Sequence, residues 1–167
     1  NAITTNAANL SATTGAPGTV NITDTNAGPV FVNALSGATM TVTTGGAGSS
    51  LIANGPITGG NLNLLAGLGT NGGIIVNSNI NVTGSANLAA DGSGNITNPN
   101  GVIGAGTLNL SSSSGNIGTF AKYIQTTAGT LTANTSGNVY VNDTGVVGVT
   151  LGSSTGSNFN VTFGSNL

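Results

Sequence analysis

Four charged side chains occur among 167 residues: Asp24, Asp91, Lys122 and Asp143. His, Cys, Trp and Arg are absent. Most enzyme chemistry is hard to build from this set. Glycoside hydrolysis needs two carboxyl groups roughly 5–10 Å apart. The three aspartates stand 67 and 52 residues from one another; Asp91 and Asp143 differ in phase and are two coils apart, and Asp24 is about three coils from Asp91. Lyase chemistry wants a base beside an acidic calcium site, and Lys122 has no such company. Serines are plentiful, but no His is present to activate one. Calcium takes six to eight oxygen ligands with several carboxylates among them. Asp91-Gly92-Ser93-Gly94-Asn95 opens like a calcium loop and then lacks the later acids, so a surface turn is the expectation. The chain is therefore read as no enzyme, with catalytic, cofactor-binding and metal residues all none. A single Lys cannot neutralise a phosphate backbone, so nucleic acid is not an expected partner. No run approaches 18 apolar residues, so no lipid-spanning helix is expected. Asn1-Ala2-Ile3 offers neither Met nor a basic segment, and no signal peptide is read in these residues.

What remains is a question of elements. Gly 29, Thr 26, Asn 25 and Ser 16 make up 96 of the 167 residues. Such polarity suggests disorder, but 37% of the residues are hydrophobic and they are regularly placed. Ser93-Gly94-Asn95-Ile96 returns as Ser114-Gly115-Asn116-Ile117 and as Ser136-Gly137-Asn138-Val139. Apolar residues at the same phase are Val30, Leu51, Ile74, Ile96, Ile117, Val139 and Phe159, with steps of 21, 23, 22, 21, 22 and 20. A second series is Leu35, Ile57, Ile80, Val102, Ile124 and Val146. A third is Val20, Met40, Leu62, Leu88, Leu108, Leu131 and Leu151. Around the third, Asn61-Leu62-Asn63-Leu64 and Thr107-Leu108-Asn109-Leu110 alternate with period two, as half-buried strands do.

A three- to five-residue strand cannot bury its side chains alone. Stacked on the equivalent strand of the next repeat, it gains parallel pairing and a continuous apolar interior. The expectation is all-β: a parallel β-solenoid of about 20–23 residues per coil, seven to eight coils, about three strands per coil and Gly/Asn/Ser turns. Residues 1–167 are read as one such domain, either whole or a piece of a longer solenoid. Gly, Thr, Asn and Val disfavour helix, and Thr, Val and Ile suit pleated surface. Asn95, Asn116, Asn138 and Asn158 are a candidate amide ladder, and each also suits a turn.

At these phrases the chain resembles the repeat regions of filamentous-haemagglutinin-like adhesins, exoproteins of two-partner secretion. Gly106-Thr107-Leu108-Asn109-Leu110, Ser113-Ser114-Gly115-Asn116-Ile117 and Gly129-Thr130-Leu131-Thr132-Ala133 carry the likeness. The resemblance implies a right-handed parallel β-helix at the bacterial surface or secreted, serving adhesion, display or biofilm matrix. Asn98-Pro99-Asn100-Gly101 spells a tetrapeptide of the family's secretion region, and it also suits a corner between Ile96 and Val102.

Three functions are thus in view. The first is a structural or display scaffold of a cell-surface adhesin, whose partners are neighbouring coils and surface or matrix receptors. The second is a self-assembling filament subunit, joined end to end to identical copies. The third is ice binding by a Thr-rich face, suggested by Thr23-Asp24-Thr25, Thr41-Val42-Thr43 and Thr130-Leu131-Thr132. The aromatics Phe31, Phe120, Tyr123, Tyr140, Phe159 and Phe163 are read as core or corner filling. Lys122-Tyr123 is a candidate binding patch, and Phe159-Asn160-Val161-Thr162-Phe163 a strand that closes the stack or pairs with another copy.

Overall fold

The computed structural model describes residues 2–15, 17–67, 69, 71–145 and 148–164. Among them are fifteen strands and no helix. In chain order these are β1 (Ile3–Thr5), β2 (Asn9–Thr13), β3 (Thr19–Asp24), β4 (Val30–Thr44) and β5 (Leu51–Ala53). Next come β6 (Ile57–Ala66), β7 (Ile74–Val76), β8 (Ile80–Val82), β9 (Ser85–Ala90) and β10 (Ile96–Thr97). The last are β11 (Ile103–Ser112), β12 (Ile124–Asn134), β13 (Val139–Asp143), β14 (Thr150–Leu151) and β15 (Phe159–Phe163). All the strands join one parallel sheet, wound as a β-solenoid of about seven turns. β7, β8 and β9 are the three strand segments of a single coil, and in the coil before it β6 supplies two of the three without a break.

The first apolar series is a physical column. Val30 pairs with Leu51, Leu51 with Ile74, Ile74 with Ile96, Ile96 with Ile117, Ile117 with Val139 and Val139 with Phe159. The six from Val30 to Val139 are fully buried. Burial of each such side chain contributes about 1.5–3 kcal/mol, and each depends on the coil above and below. Stability is therefore carried by interfaces between coils rather than by any coil alone.

The second series holds for Leu35, Ile57 and Ile80 and then slips. Ile80 pairs with Ile103, not Val102, and Ile103 with Thr126, not Ile124. Val146 lies outside the described residues. The cause is the corner between the first two strands. It takes six residues from Leu51 to Ile57 and from Ile74 to Ile80, but seven from Ile96 to Ile103 and nine from Ile117 to Thr126. Ile124 moves into the neighbouring interior column instead, beneath Val141.

The third series needs one correction of the same kind. Ala86, not Leu88, stands between Leu62 and Leu108, while Leu88 pairs with Leu64 and Leu110. Both columns face inward, because a shift of two residues keeps a side chain on its face. For the aromatics, the core half of the expectation is corrected, while Phe120, Tyr123 and Tyr140 pack together at a corner. The buried core holds only Leu, Ile, Val, Met and Ala, and no aromatic among the described residues. Its columns are filled almost wholly by aliphatic side chains, from Ala to Met.

Candidate functional site

The charged residues divide into two buried carboxylates and two surface groups. Asp24 and Asp143 end strands that share an inward alternation, Val20-Asn21-Ile22-Thr23-Asp24 and Val139-Tyr140-Val141-Asn142-Asp143. That phase carries each carboxylate inside, where Asp24 is fully buried and Asp143 2% exposed. Each meets the same three donors. For Asp143, one oxygen accepts from Thr126 Oγ1 at 2.6 Å and Ala128 N at 2.8 Å, and the other from Gly145 N at 2.9 Å. For Asp24, one oxygen accepts from Thr5 Oγ1 and Ala7 N, and the other from Asn26 N. Thr5 and Thr126 are the register partners of these aspartates in the preceding coil. The following Thr25 and Thr144 donate to the carbonyls of Thr5 and Thr126. The unit is a corner lock that ties two coils together. The shared Val-x-Val/Ile-x-Asp spelling was its sequence signal, and a search for catalytic pairs overlooks it.

Burial pushes the Asp24 carboxyl up, but the Thr5 hydroxyl and the Ala7 and Asn26 amides outweigh it and hold it below its ordinary 3.8. A group depressed in the folded state stabilises fully above its unfolded value and loses that contribution as pH falls through the folded one. Amide protection of β1 and β3 should therefore be level at neutral pH and fall once pH drops below 3.8. Hydrogen exchange followed from about pH 6 to about pH 2 tests this. Asp24→Asn should flatten the fall, and an equally steep fall in that variant would remove Asp24 as its cause.

Asp91 stays on a turn, accepting from Gly69 N at 2.5 Å and Gly92 N at 2.8 Å. Lys122 is exposed on a different corner. No group of three or more His, Cys, Asp or Glu among the described residues could hold a metal. The structure brings none of the three aspartates together.

The expected asparagine ladder exists, with a twist in its chemistry. Asn95 Oδ1 accepts from Asn116 N at 2.7 Å and Asn116 Oδ1 from Asn138 N at 2.9 Å, whereas Asn138 Oδ1 accepts from Asn158 Nδ2 at 2.7 Å. The first two rungs are side chain to backbone, so the turn role and the ladder role are one. An amide-to-amide ladder lies elsewhere, on the outer face of the third strand. Asn87 Nδ2 donates to Asn63 Oδ1 at 2.7 Å and Asn109 Nδ2 to Asn87 Oδ1 at 2.6 Å.

That outer face is a charge-free array. One column runs Asn21, Thr41, Asn63, Asn87, Asn109 and Thr132. Beside it stand Thr19, Thr39 and Asn61, and further along Thr107, Thr130 and Thr150. The Thr-x-Thr triplets at 41–43 and 130–132 belong to this face, but Thr23-Asp24-Thr25 turns the corner with Asp24 inside. Next to the array, an open trough of about 830 Å³ crosses the coils over Ala66, Ala90, Ser112 and Thr135.

Asn98-Pro99-Asn100-Gly101 forms a corner. Asn98 is 1% exposed, two residues past Ile96 at an interior position. Its Nδ2 donates to Gly101 O at 2.7 Å and Gln125 O at 3.3 Å, and its Oδ1 accepts from Gln125 N at 3.2 Å. It thereby satisfies the backbone of the coil above where the corner gains a residue.

No protein-family model, no curated protein and no solved structure matches the chain.

Proposed function

We propose that this chain is a structural display scaffold, a stretch of rod in a bacterial cell-surface adhesin or exoprotein, acting outside the cell in adhesion or matrix formation. The observation that carries the reading is the unbroken first column, Val30 through Phe159, paired coil on coil. At about 4.8 Å per coil, seven turns span roughly 35 Å. Irregularities fall at corners and leave the first column intact, so reach can be gained by adding coils. The polar residues serve the same end, since the amides and buried carboxylates bond between coils. This also favours a scaffold over ice binding, because Asn63, Asn87 and Asn109 each donate along the face, to Thr41, Asn63 and Asn87 in turn.

A second reading has an observation of its own. Leu151, Phe159 and Phe163 of the outermost described coil are 43%, 38% and 46% exposed, and Phe159 heads an interior column. An exposed strand edge backed by apolar residues is a template for further parallel pairing. End-to-end stacking of identical copies would cover it.

Immunogold electron microscopy of native extracellular material separates the two. Single rods tethered to cells support the scaffold. Filaments built of this chain alone, lost on Phe159→Asp, support the subunit. Label confined to the cell interior overturns both.

A further inference from the structure

The nine-residue corner between Ile117 and Thr126 leaves the solenoid path. Thr119 N donates to Lys122 O at 2.9 Å and Lys122 N to Thr119 O at 3.1 Å, closing a hairpin whose tip is Phe120-Ala121. Phe120 is 78% exposed, the most exposed large apolar side chain among the described residues. Its ring stands edge-on to Tyr140 at 6.3 Å, and Tyr123 stands edge-on to Tyr140 at 5.5 Å. The rings are held by neighbouring side chains, largely of the coils that follow. Tyr123 Oη accepts from Asn160 Nδ2 at 2.9 Å, and Gln125 Nε2 donates to Tyr123 O at 3.1 Å. Asn142 Nδ2 donates to Gln125 Oε1 at 2.8 Å and Thr162 Oγ1 to Asn142 Oδ1 at 2.8 Å. The hairpin thus carries Phe120 and the chain's only cation, Lys122, and sets Phe120 beside Tyr140, which in turn meets Tyr123.

We infer that this hairpin is a binding site for an acidic saccharide. A sugar ring offers a C–H face to an aromatic ring and hydroxyls to amides; this tip supplies the ring, and the Asn142 and Gln125 amides, each bonded through one N–H, have a second to offer. The exposed Phe120 ring takes the pyranose, the nearly perpendicular Tyr140 ring backs it, Asn142 and Gln125 border it, and Lys122 meets a carboxylate. Other partners fit worse. One Lys is too little for nucleic acid, whose affinity rests on many phosphate contacts. One phenyl ring and one ammonium are too little for a bilayer, on which even a single acyl chain gives only marginal binding. A stable protein interface buries about 800 Å² per partner, more than one exposed phenyl ring and one Lys offer.

Tyrosine emission tests the inference directly, because Trp is absent and both tyrosines lie in the cluster. The probes are an oligogalacturonate and its methyl ester, the same sugar with and without charge. The acid should change the emission saturably, with a Kd of about 1 mM, and the ester should bind more weakly. Phe120→Ala, whose side chain is outside the core, should weaken the acid about tenfold or more. Lys122→Gln should erase the difference between acid and ester. Amide chemical shifts at residues 118–123 give a second readout on the same samples. No response to either probe at about ten times that Kd overturns the inference, as does a Phe120→Ala variant that binds like the parent. Equal binding of acid and ester by the parent overturns the acidic class.

Discussion

Gly115→Ala lowers the urea midpoint of the whole chain by roughly 1–2 M, while Gly45→Ala leaves it unchanged or slightly raised. A Cβ on Gly115 would stand 2.1 Å from Gly94 O and 2.5 Å from Gly94 C in the coil beneath. Neither side can give way easily. Ser112 Oγ donates to Gly94 O at 2.7 Å and accepts from Gly115 N at 2.9 Å, and Thr135 Oγ1 donates to Gly115 O at 2.5 Å. The same clash recurs along the column, with Gly94 against Gly72 O at 2.1 Å and Gly137 against Gly115 O at 2.5 Å. This is why Gly follows Ser in the repeated Ser-Gly-Asn phrase. Overpacking of this kind costs about 3 kcal/mol or more, and a typical urea slope of about 2 kcal/mol per M converts that to the shift above. A Cβ on Gly45 meets nothing within 4 Å, and its φ is not in the left-handed range. Ala there restricts only the unfolded chain and stabilises by about 0.4–1 kcal/mol at most. Circular dichroism of both variants in urea checks the pair. Equal midpoints for Gly115→Ala and the parent would mean that the coils can separate at this corner without loss.

How much of this was legible beforehand depended on which force fixed each residue. The first column could be read because Ile96, Ile117 and Val139 each follow the same Gly-Asn corner, and the corner keeps the count. The column from Ile80 onward could not be followed. Asn98 and the Phe120 hairpin lengthen the corner by one and by three residues, and apolar neighbours such as Val102 and Ile124 offer false continuations. Leu88 was misplaced for a related reason, since a period-two strand presents two equivalent inward columns. The aspartates were visible as residues but not as a structure. Composition says that charges are rare, and it takes the Val-x-Val/Ile-x-Asp phase to say that two of them point inward. The aromatic tip was half legible: Lys122-Tyr123 marked the place, but Tyr140 joins it only because the next coil stacks above.

Asp143→Ala should be the most damaging single change at a polar position, costing about 3–5 kcal/mol at neutral pH. Removing the carboxylate strands three donors at once: Thr126 Oγ1, Ala128 N and Gly145 N. Thr126 is fully buried and Ala128 4% exposed, so water cannot easily replace the lost acceptor. A buried donor without a partner costs about 1–3 kcal/mol. Thr126→Val removes one donor and leaves the carboxylate two, so its cost should be nearer 1.5–3 kcal/mol, the range for one bond to a charged group. Asp24→Ala breaks the same lock between β1 and β3, and β1 has no further strand partner among the described residues, so opening there is local. It should show as lost amide protection in β1 and β3 with little change in the global midpoint. The two locks share no residue and are separated along the rod, so the double variant should be additive within about 0.5 kcal/mol. Urea unfolding gives the global term and hydrogen exchange the local one. If Asp143→Ala stayed within about 1 kcal/mol of the parent, the corner would be held by stacking alone and the carboxylate would be a passenger. If it unfolds as expected while Asp24→Ala only frays β1 and β3, then the same lock carries more where both of its strands have further pairing partners.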